Sequence, residues 1–465
     1  MTELPKTFRD AVIVSRALRV RYLWIDSLCI RQDKDDLSDW NHEASLMDKV
    51  YSHSHLNISA SHGGNSSEGL FRTRDPRISD RVEVDLCMQD RSGQGAVHQP
   101  YAITDYYLFH NNVAESALNQ RGWVLQERIL APRVLHFCRE QLFWECRTHV
   151  ACEQYAWGLP TTRFTEFSHL FIKSNDAYQQ NDEAPWYRLW ADLVFSYSQM
   201  SLTYPSDKMV ALSGVAKMVR SRVNDQYVAG MWRRDLVNQL VWEPHPHGQG
   251  QFYPTPGQSN YRAPSWTWAS IDHPIFYFGR WGPVEPDDLL IEVEEVQIEY
   301  ASGDDTGQIQ NAWLDLKGNL KPLYLTWGQG APWEQVERWN AVFAPEYGAP
   351  KPPFHNFLCG TARLDNPLVE RHIIQHYSEN AWLFYMPIAR FQGDYEEDYK
   401  HDDVANKFLL LRLVNTEGKL FQRLGLGEIY DSKGLKLMHT ELTEDVKRVL
   451  PCLRYEDGKH TIRII

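Results

Sequence analysis

The alternation of helical and strand-like apolar spacing in the first sixty positions constrains the fold of this chain more than any other feature. Apolar side chains recur with helical spacing over residues 4–20, and a short apolar run at 22–26 predicts a buried strand that ends in an acid. Asp39 can cap a helix over about 40–52, and residues 55–61 alternate like a strand. The order helix, strand, helix, strand indicates a βαβ-type unit of an α/β domain whose first strand is missing or unrecognised.

The next ninety residues continue with both kinds of element. Residues 80–110 predict strands around a polar insert, and residues 116–130 predict a helix. Two short apolar runs at 134–137 and 141–146 predict a hairpin.

The remaining two thirds of the chain begin with helical patterns and continue with patterns of strands and loops. Residues 186–219 have helical periodicity, whereas 266–271 and 289–300 predict strands. Beyond about residue 280 the sequence is rich in strands and loops, with Pro- and Gly-rich stretches at 330–335 and 344–353.

Composition excludes several classes of function. The formal net charge of −13 argues against a nucleic-acid binder, because such proteins need basic surface to displace counterions from phosphates. No run approaches the roughly 18 apolar residues of a membrane span, and the N-terminus lacks the apolar segment of a secretory signal. The 7 cysteines, an odd number spread thinly, are typical of reduced thiols, so we expect a cytoplasmic protein.

Three blocks of sequence resemble a known family. The first contains Tyr22-Leu23-Trp24-Ile25-Asp26-Ser27-Leu28-Cys29-Ile30, then Gln32-Asp33, Asp39-Trp40, Glu43, Met47 and Val50-Tyr51. The second contains Arg121-Gly122-Trp123-Val124-Leu125-Gln126-Glu127-Arg128, then Pro132-Arg133-Val134-Leu135-His136-Phe137 and Leu142-Phe143-Trp144-Glu145-Cys146. Both resemble the fungal heterokaryon-incompatibility (HET) domain. The third, which includes Asp207-Lys208 and Ala263-Pro264-Ser265-Trp266-Thr267-Trp268, is similar to the region that commonly follows this domain.

The resemblance implies a fold and a division of the chain. HET domains are distantly similar to Toll/interleukin-receptor (TIR) domains, so we expect a TIR-like (flavodoxin-like) α/β domain over 1–155. A helical HET-associated region over 156–275 and a β-rich domain over 276–465 would follow. HET domains usually open with a strand that ends in a Leu-Ser-Tyr-x-Trp-Gly-like segment, which this sequence does not contain. We therefore expect an N-terminally incomplete HET domain.

The resemblance also implies a function. HET proteins act in programmed cell death after fusion of genetically unlike fungal cells, and some TIR domains cleave nicotinamide from NAD with a glutamate on the helix after the third strand. The matching position here is Glu43. It shares a helical face with Trp40, Met47 and Val50, which would desolvate its carboxylate and raise its pKa. The alternative is a buried structural glutamate paired to an arginine or to backbone donors.

Other candidate residues lie on the loops around this helix. Asp26 follows the predicted strand, where α/β sheets bind ligands, and Asp33 lies on the acidic loop beyond it. These acids could hold ribose hydroxyls or a cation, or form a solvated acidic loop. Cys29 could be a nucleophile with His53 or His55 as base, or simply a buried thiol.

Two arginines complete the predicted site. Arg121 and Arg128 could recognise an anion, or could pair internally with acids such as Asp26. The predicted site has Glu43, Asp26 and Arg121 as catalytic residues and Asp33, Cys29 and Arg128 as cofactor-binding residues. We predict no bound metal and no firm cofactor, with NAD as a candidate substrate.

Three functional hypotheses remain open at the level of sequence. The first is a self/non-self effector of cell death that consumes NAD. The second is a non-enzymatic module that acts through protein partners or self-assembly, in which a homo-oligomer is expected and an exposed sheet edge would be favourable. The third is a HET-like scaffold recruited as a small-molecule enzyme, for which a deep aromatic pocket in the last third of the chain would be evidence.

Overall fold

The computed structural model describes residues 4–33, 35–36, 38–89, 96–159, 184–245, 261–277, 286–327, 338–343, 358–365, 383–389, 407–429 and 432–465. These residues form two compact units. The first consists of the described residues of Met1–Asp182, Met200–Thr203 and Val210–Val215, and the second of those in Glu183–Gln199, Tyr204–Met209 and Ala216–Ile465. The Pro- and Gly-rich stretches predicted at 330–335 and 344–353 lie outside the described residues.

The first unit combines helices with a small mixed sheet. Its helices are α1 (Lys6–Ala17), α2 (Asp26–Cys29), α3 (Ser38–Ser52) and α4 (Gly122–Leu130). Its strands are β1 (Asn57–Ser59), β2 (Val82–Gln89), β3 (Ala96–Ile103), β4 (Arg133–Phe137), β5 (Leu142–Cys146) and β6 (Val150–Cys152). The order β1-β4-β5-β6 forms one sheet, and β2 and β3 form a separate hairpin.

The core of this unit lies where α1 meets the sheet. Ala11 and Val14 of α1 pack with Leu70 and with Phe137 of β4. β1 runs parallel to β4, whereas β4/β5 and β5/β6 are antiparallel. The α/β class is confirmed, although a flavodoxin-like sheet would be parallel, and only one pairing in this described sheet is.

Most of the predicted elements in this unit are confirmed, and three details are wrong. The predicted strand at 22–26 is wrong, because residues 21–25 pair with no strand and Asp26 instead opens α2. Asp39 does not cap α3, which already begins at Ser38, and its carboxylate accepts the backbone N–H of Arg31 at 2.8 Å. The helix predicted over 116–130 is confirmed only from Gly122, because residues 116–120 form turns.

The second unit opens with helices and continues as a large sheet. Its helices are α5 (Ala184–Ser198), α6 (Val210–Val223, of which the first residues belong to the first unit), α7 (Leu236–Gln239), α8 (Ser432–His439) and α9 (Glu444–Val449). Its shorter strands are β7 (Tyr227–Val228), β8 (Met231–Trp232), β9 (Trp242–Pro244), β10 (Ile275–Tyr277) and β19 (Arg454–Glu456). Its longer strands are β11 (Glu292–Tyr300), β12 (Ile309–Gly318), β13 (Lys321–Trp327), β14 (Arg338–Phe343), β15 (Leu358–Leu364), β16 (Leu383–Pro387), β17 (Lys407–Asn415), β18 (Leu420–Glu428) and β20 (Lys459–Ile464).

Six of these strands close into a barrel. The antiparallel pairings run from β15 through β14, β13, β16 and β17 to β18, which pairs back with β15. From β18 the sheet extends outward through β20, β12 and β11. The barrel interior is filled by apolar side chains, which include Leu323, Leu364, Tyr385, Phe408 and Leu410. The β-rich character expected beyond residue 280 is therefore confirmed.

The predicted strand at 266–271 is wrong. The chain there forms a 3₁₀ turn, Trp268–Ser270, because the Thr267 hydroxyl accepts the backbone N–H of Ala269. Trp268 is fully buried, and its Nε1 donates to the carbonyl of Gly230 at 2.9 Å. Within the described part of the chain, no helix is both long and apolar enough to cross a bilayer.

Candidate functional site

Helices α3 and α4 of the first unit pack against each other and carry the candidate site. The rings of Trp40 on α3 and Trp123 on α4 meet edge to face, with centroids 6.1 Å apart. Gly214 fits closely beside both helices, since a Cβ there would lie 2.8 Å from Oε1 of Gln126 and 2.9 Å from Cβ of Asp48. The absence of a side chain at this position therefore lets the three segments approach closely.

Four polar side chains on and beside this pair of helices interact through a hydrogen bond and through their charges. Tyr51 of α3 and Glu127 of α4 are hydrogen-bonded through their side chains, and both respond to the charges of Asp26 and Arg121. Asn57 of β1 supports the arrangement, because its Nδ2 donates to the backbone carbonyl of Glu127 at 3.1 Å. We call Asp26, Tyr51, Arg121 and Glu127 the Glu127 cluster.

The electrostatics of this cluster favour a protonated carboxyl. Burial is the main reason why the pKa of Glu127 rises to about 7, and the negative charge of Asp26 adds to the effect. The Tyr51 hydroxyl and the Arg121 guanidinium act in the opposite direction but do not cancel it. Burial also raises the pKa of Tyr51, followed by the charge of Glu127. Near neutral pH, Glu127 can therefore both give and take a proton.

The cluster opens to solvent at one side. Asp26 and Arg121 are exposed, whereas Tyr51 and Glu127 are partly buried, and the Trp24 ring packs edge-on against Tyr51 at 5.8 Å. Arg121 immediately precedes α4 and makes no side-chain capping bond to that helix. Its guanidinium is therefore available to an anion beside an ionisable carboxyl.

Glu43 lies on the same helix as Tyr51. Eight residues of α3 separate them, which corresponds to about 12 Å along a helix axis at ~1.5 Å per residue. Glu43, Met47 and Tyr51 share one face of α3 by their spacing. Glu43 is partly buried, and its carboxylate has neither a hydrogen bond nor an ion pair with the described residues. A structural partner for Glu43 is thus not seen in that part of the chain.

The loop residues predicted to bind a cofactor lie on the surface. Cys29 ends α2 and is exposed. Asp33 accepts the backbone N–H of Asp35 at 3.0 Å and lies 3.7 Å from a guanidinium nitrogen of Arg31. His53 bonds through Nδ1 to the carbonyl of Lys49 in its own helix at 2.8 Å, so that nitrogen is already occupied by a local contact.

Arg128 has an internal partner. Its Nε donates to Oε2 of Glu145 at 2.8 Å, and its guanidinium lies 5.2 Å from the ring centroid of Phe109. His136 lies 3.3 Å from the same carboxylate through Nε2, and through Nδ1 it is 3.3 Å from the Ser61 hydroxyl. Glu145 and His136 are fully buried. We call Ser61, Arg128, His136 and Glu145 the Arg128 network. Arg128 thus pairs with Glu145, whereas Arg121 is the arginine whose charge acts on Glu127.

Sequence reasoning missed Glu127 and Tyr51 as site residues. Glu127 was recognised in the motif that ends in Arg128, but its burial depends on how α4 packs, which the sequence does not show. Residues 146–152 contain a Cys-x-x-His-x-x-Cys sequence, a spacing of potential zinc ligands, but Sγ of Cys146 lies in a local contact 3.2 Å from the Thr148 hydroxyl. Among the described residues, no group of three or more His, Cys, Asp or Glu side chains is placed to hold a metal.

The fold and this cluster define an α/β domain with an ionisable carboxyl site between two helices. Residues 1–127 match the family model described as "Heterokaryon incompatibility protein (HET)". Residues 1–127 therefore contain a heterokaryon incompatibility (HET) domain, as the first two sequence blocks indicated. No curated protein and no solved structure matches it.

Proposed function

We propose that this protein is a heterokaryon incompatibility effector of programmed cell death and that its HET domain hydrolyses NAD at the α3/α4 site. The match to the HET family over residues 1–127 supports the first part. The observation that carries the second part, NAD hydrolysis, is the Glu127 carboxyl. Its pKa is about 7, and the charges of Asp26 and Arg121 act on it. Two of the three residues predicted to be catalytic thus act on one ionisable group. The TIR-like relationship and the predicted division at residues 155 and 275 are part of this proposal.

The reaction would need three groups of this site. The bond between the nicotinamide nitrogen and C1′ of the ribose breaks with its electron pair leaving on nicotinamide, and a water oxygen bonds to C1′. Glu43 would stabilise the oxocarbenium-like centre or hold the ribose hydroxyls. Glu127 would receive the proton lost by the water through intervening solvent, because its pKa is close to neutrality and its partner Tyr51 lies about 12 Å along α3 from Glu43. Arg121 would hold the diphosphate. The products are nicotinamide, ADP-ribose and one proton.

The test is NAD consumption by the purified full-length chain at a measured oligomeric state. We expect Glu43→Ala to lower the rate by about 100-fold or more, which is typical of removing an electrostatic stabiliser of the transition state. Glu140→Ala is the matched control, because Glu140 is an exposed glutamate in the β4–β5 turn of the same unit. It should leave the rate unchanged.

Two outcomes would overturn the enzymatic part. One is equal rates for the wild type and Glu43→Ala. The other is no NAD loss by a wild-type sample shown by light scattering to be assembled, which would favour action through self-assembly or protein partners. Loss of cell death on expression of Glu43→Ala, with normal protein levels, would connect the activity to the effector role.

A further inference from the structure

The second unit contains a cavity of about 340 Å³ at the start of its extended sheet. Small-molecule sites usually occupy about 300–1,000 Å³, so the space is sufficient for a small metabolite. Its wall is formed by the β8–α7 connection with α7, by the segment that leads into β11 with the first residues of β11, and by Lys459, the first residue of β20. All of these lie in one unit, far along the sequence from the HET match.

The polar side of the cavity is predominantly cationic. Among the described lining residues, Arg233, Arg234 and Lys459 are cationic and Glu292 is the one acid. Arg234 is also held from behind, since its Nε lies 3.9 Å from Oδ1 of Asp225 and its Nη2 donates to the Asn224 carbonyl at 2.6 Å. The Arg233 guanidinium is fixed in place, because its Nη2 donates to the carbonyl of Val293 at 2.9 Å. A guanidinium that is already oriented loses less conformational freedom when it binds an anion.

Lys459 is the most available of these cations. It follows the tight turn at Asp457 and Gly458, which have φ of 53° and 76°. This turn joins β19 to β20 and so fixes the backbone of Lys459 at the cavity. Lys459 is partly buried, and its amine has no hydrogen bond or ion pair with the residues that the structure describes. A bound anion would supply the missing partner.

The other described lining residues of the cavity are aliphatic. Ile291 and Val293 are buried, and Val237 and Leu289 are partly buried beside them. None of the described lining residues is aromatic, so among them no ring is offered for stacking of a flat ligand. A bare inorganic ion would leave the exposed parts of Val237 and Leu289 uncovered.

From these observations we propose that the cavity binds a small organic anion, with a phosphate or carboxylate head held by Arg233, Arg234 and Lys459 and an apolar group on the aliphatic wall. This site is separate from the α3/α4 site and does not depend on NAD hydrolysis. It would give the chain a small-molecule input apart from its HET domain.

The test is calorimetric titration of the full-length protein with hexyl phosphate, hexanoate and inorganic phosphate. We expect at least one of the two hexyl ligands to bind more tightly than inorganic phosphate, and their ratio identifies the preferred head group. Lys459→Glu should weaken this binding by about 10-fold or more, as expected when a charged partner is removed from a desolvated contact. Lys419→Glu, the same change at an exposed lysine in the β17–β18 turn, should not.

Further variants keep the test informative. Leu289→Gln should weaken hexyl ligands but not inorganic phosphate, because it alters only the apolar side. If Lys459→Glu lowers the melting temperature, Lys459→Gln replaces it and should weaken binding to a smaller extent. Absence of binding by both hexyl ligands would overturn the proposal, as would equal losses in the Lys459 and Lys419 variants. Binding of inorganic phosphate as tight as that of the hexyl ligands would overturn the role of the aliphatic wall.

Discussion

Two carboxylates in the first unit lie near arginines of one short segment, and they differ in how their charge is compensated. Glu145 has no solvent exposure, and Nε of Arg128 meets its carboxylate at 2.8 Å. Glu127 has Tyr51 as its hydrogen-bonding partner and responds to Arg121 only through the electric field, with the like charge of Asp26 also present. Its pKa therefore rises to about 7.

The difference shows which of the two is suited to chemistry. A buried ion pair with its hydrogen bonds made is fixed in one state, and removal of one partner is costly. A carboxyl that is desolvated without full compensation exchanges protons at physiological pH, which is a property of catalytic groups. The Arg128 network accordingly holds α4 against the sheet, whereas the Glu127 cluster is the candidate for function.

The substitution Arg128→Met tests this comparison with the largest expected change in stability. We expect the variant to lose about 3–5 kcal/mol of stability, because it removes the guanidinium that compensates the charge of the fully buried Glu145, and the His136 contact at 3.3 Å does not replace that fixed positive charge. Chemical denaturation of the full chain measures the change. The control is Arg121→Met, the same substitution at the exposed start of α4, which should cost less than about 1 kcal/mol. Equal losses in the two variants would show that the arginines do not differ in role.

A rescue experiment separates charge from packing in that result. Glu145→Gln in the Arg128→Met background removes the negative charge of Glu145, which has lost its guanidinium partner, while keeping the size of the side chain. It should recover part of the lost stability. No recovery would mean that the contact of Arg128 with Phe109, and not the charge, accounts for the loss.

The second test concerns how the Glu127 carboxyl makes the unfolding free energy depend on pH. Because its folded-state pKa is raised from 4.5 to about 7, the folded state binds more protons than the unfolded state between these values, and stability falls as pH rises through this interval. Glu127→Gln removes this dependence. We expect the variant to exceed the wild type in unfolding free energy by about 1–2 kcal/mol at pH 8, with the difference closing towards pH 4.5.

Denaturation curves for both proteins across that pH range would measure the effect. Glu140→Gln is a suitable control, because Glu140 is an exposed glutamate of the same unit. A constant difference between Glu127→Gln and the wild type at every pH would contradict a raised pKa for Glu127.

The same contrast explains how far the sequence could predict this molecule. The α1 and α3 helices and the β4/β5 hairpin follow from local patterns, since their apolar spacing and turns are specified by neighbouring residues. The run at 22–26 has the composition of a strand, but a strand also needs a partner, and none pairs with it. Its apolar side chains are accommodated otherwise, for example by the packing of Trp24 on Tyr51.

The site was predictable only in part, for a related reason. Spacing predicts that Glu43 lies on a helix, the end of a predicted strand indicates Asp26, and the anion-binding chemistry of arginine indicates Arg121. The pKa of Glu127, in contrast, depends on Asp26 and Tyr51, which belong to segments distant in sequence and meet it only through packing. Likewise, the partner of Arg128 is Glu145 on β5 and not Asp26. Charges near one another in sequence thus did not determine which of them pair.

The smallest expected effect tests whether Arg121 belongs to the Glu127 cluster at all. Arg121 lowers the pKa of Glu127, so Arg121→Gln should move that pKa further upward. Because Arg121 is exposed, solvent screens the interaction, and we expect a cost below about 1 kcal/mol that is present at pH 8 and absent near pH 4.5, where Glu127 is neutral in both proteins. In a Glu127→Gln background the pH-dependent part of the cost should vanish. A loss that is the same at both pH values and in both backgrounds would instead assign Arg121 to the start of α4, and the Glu127 cluster would then lack its anion-binding group.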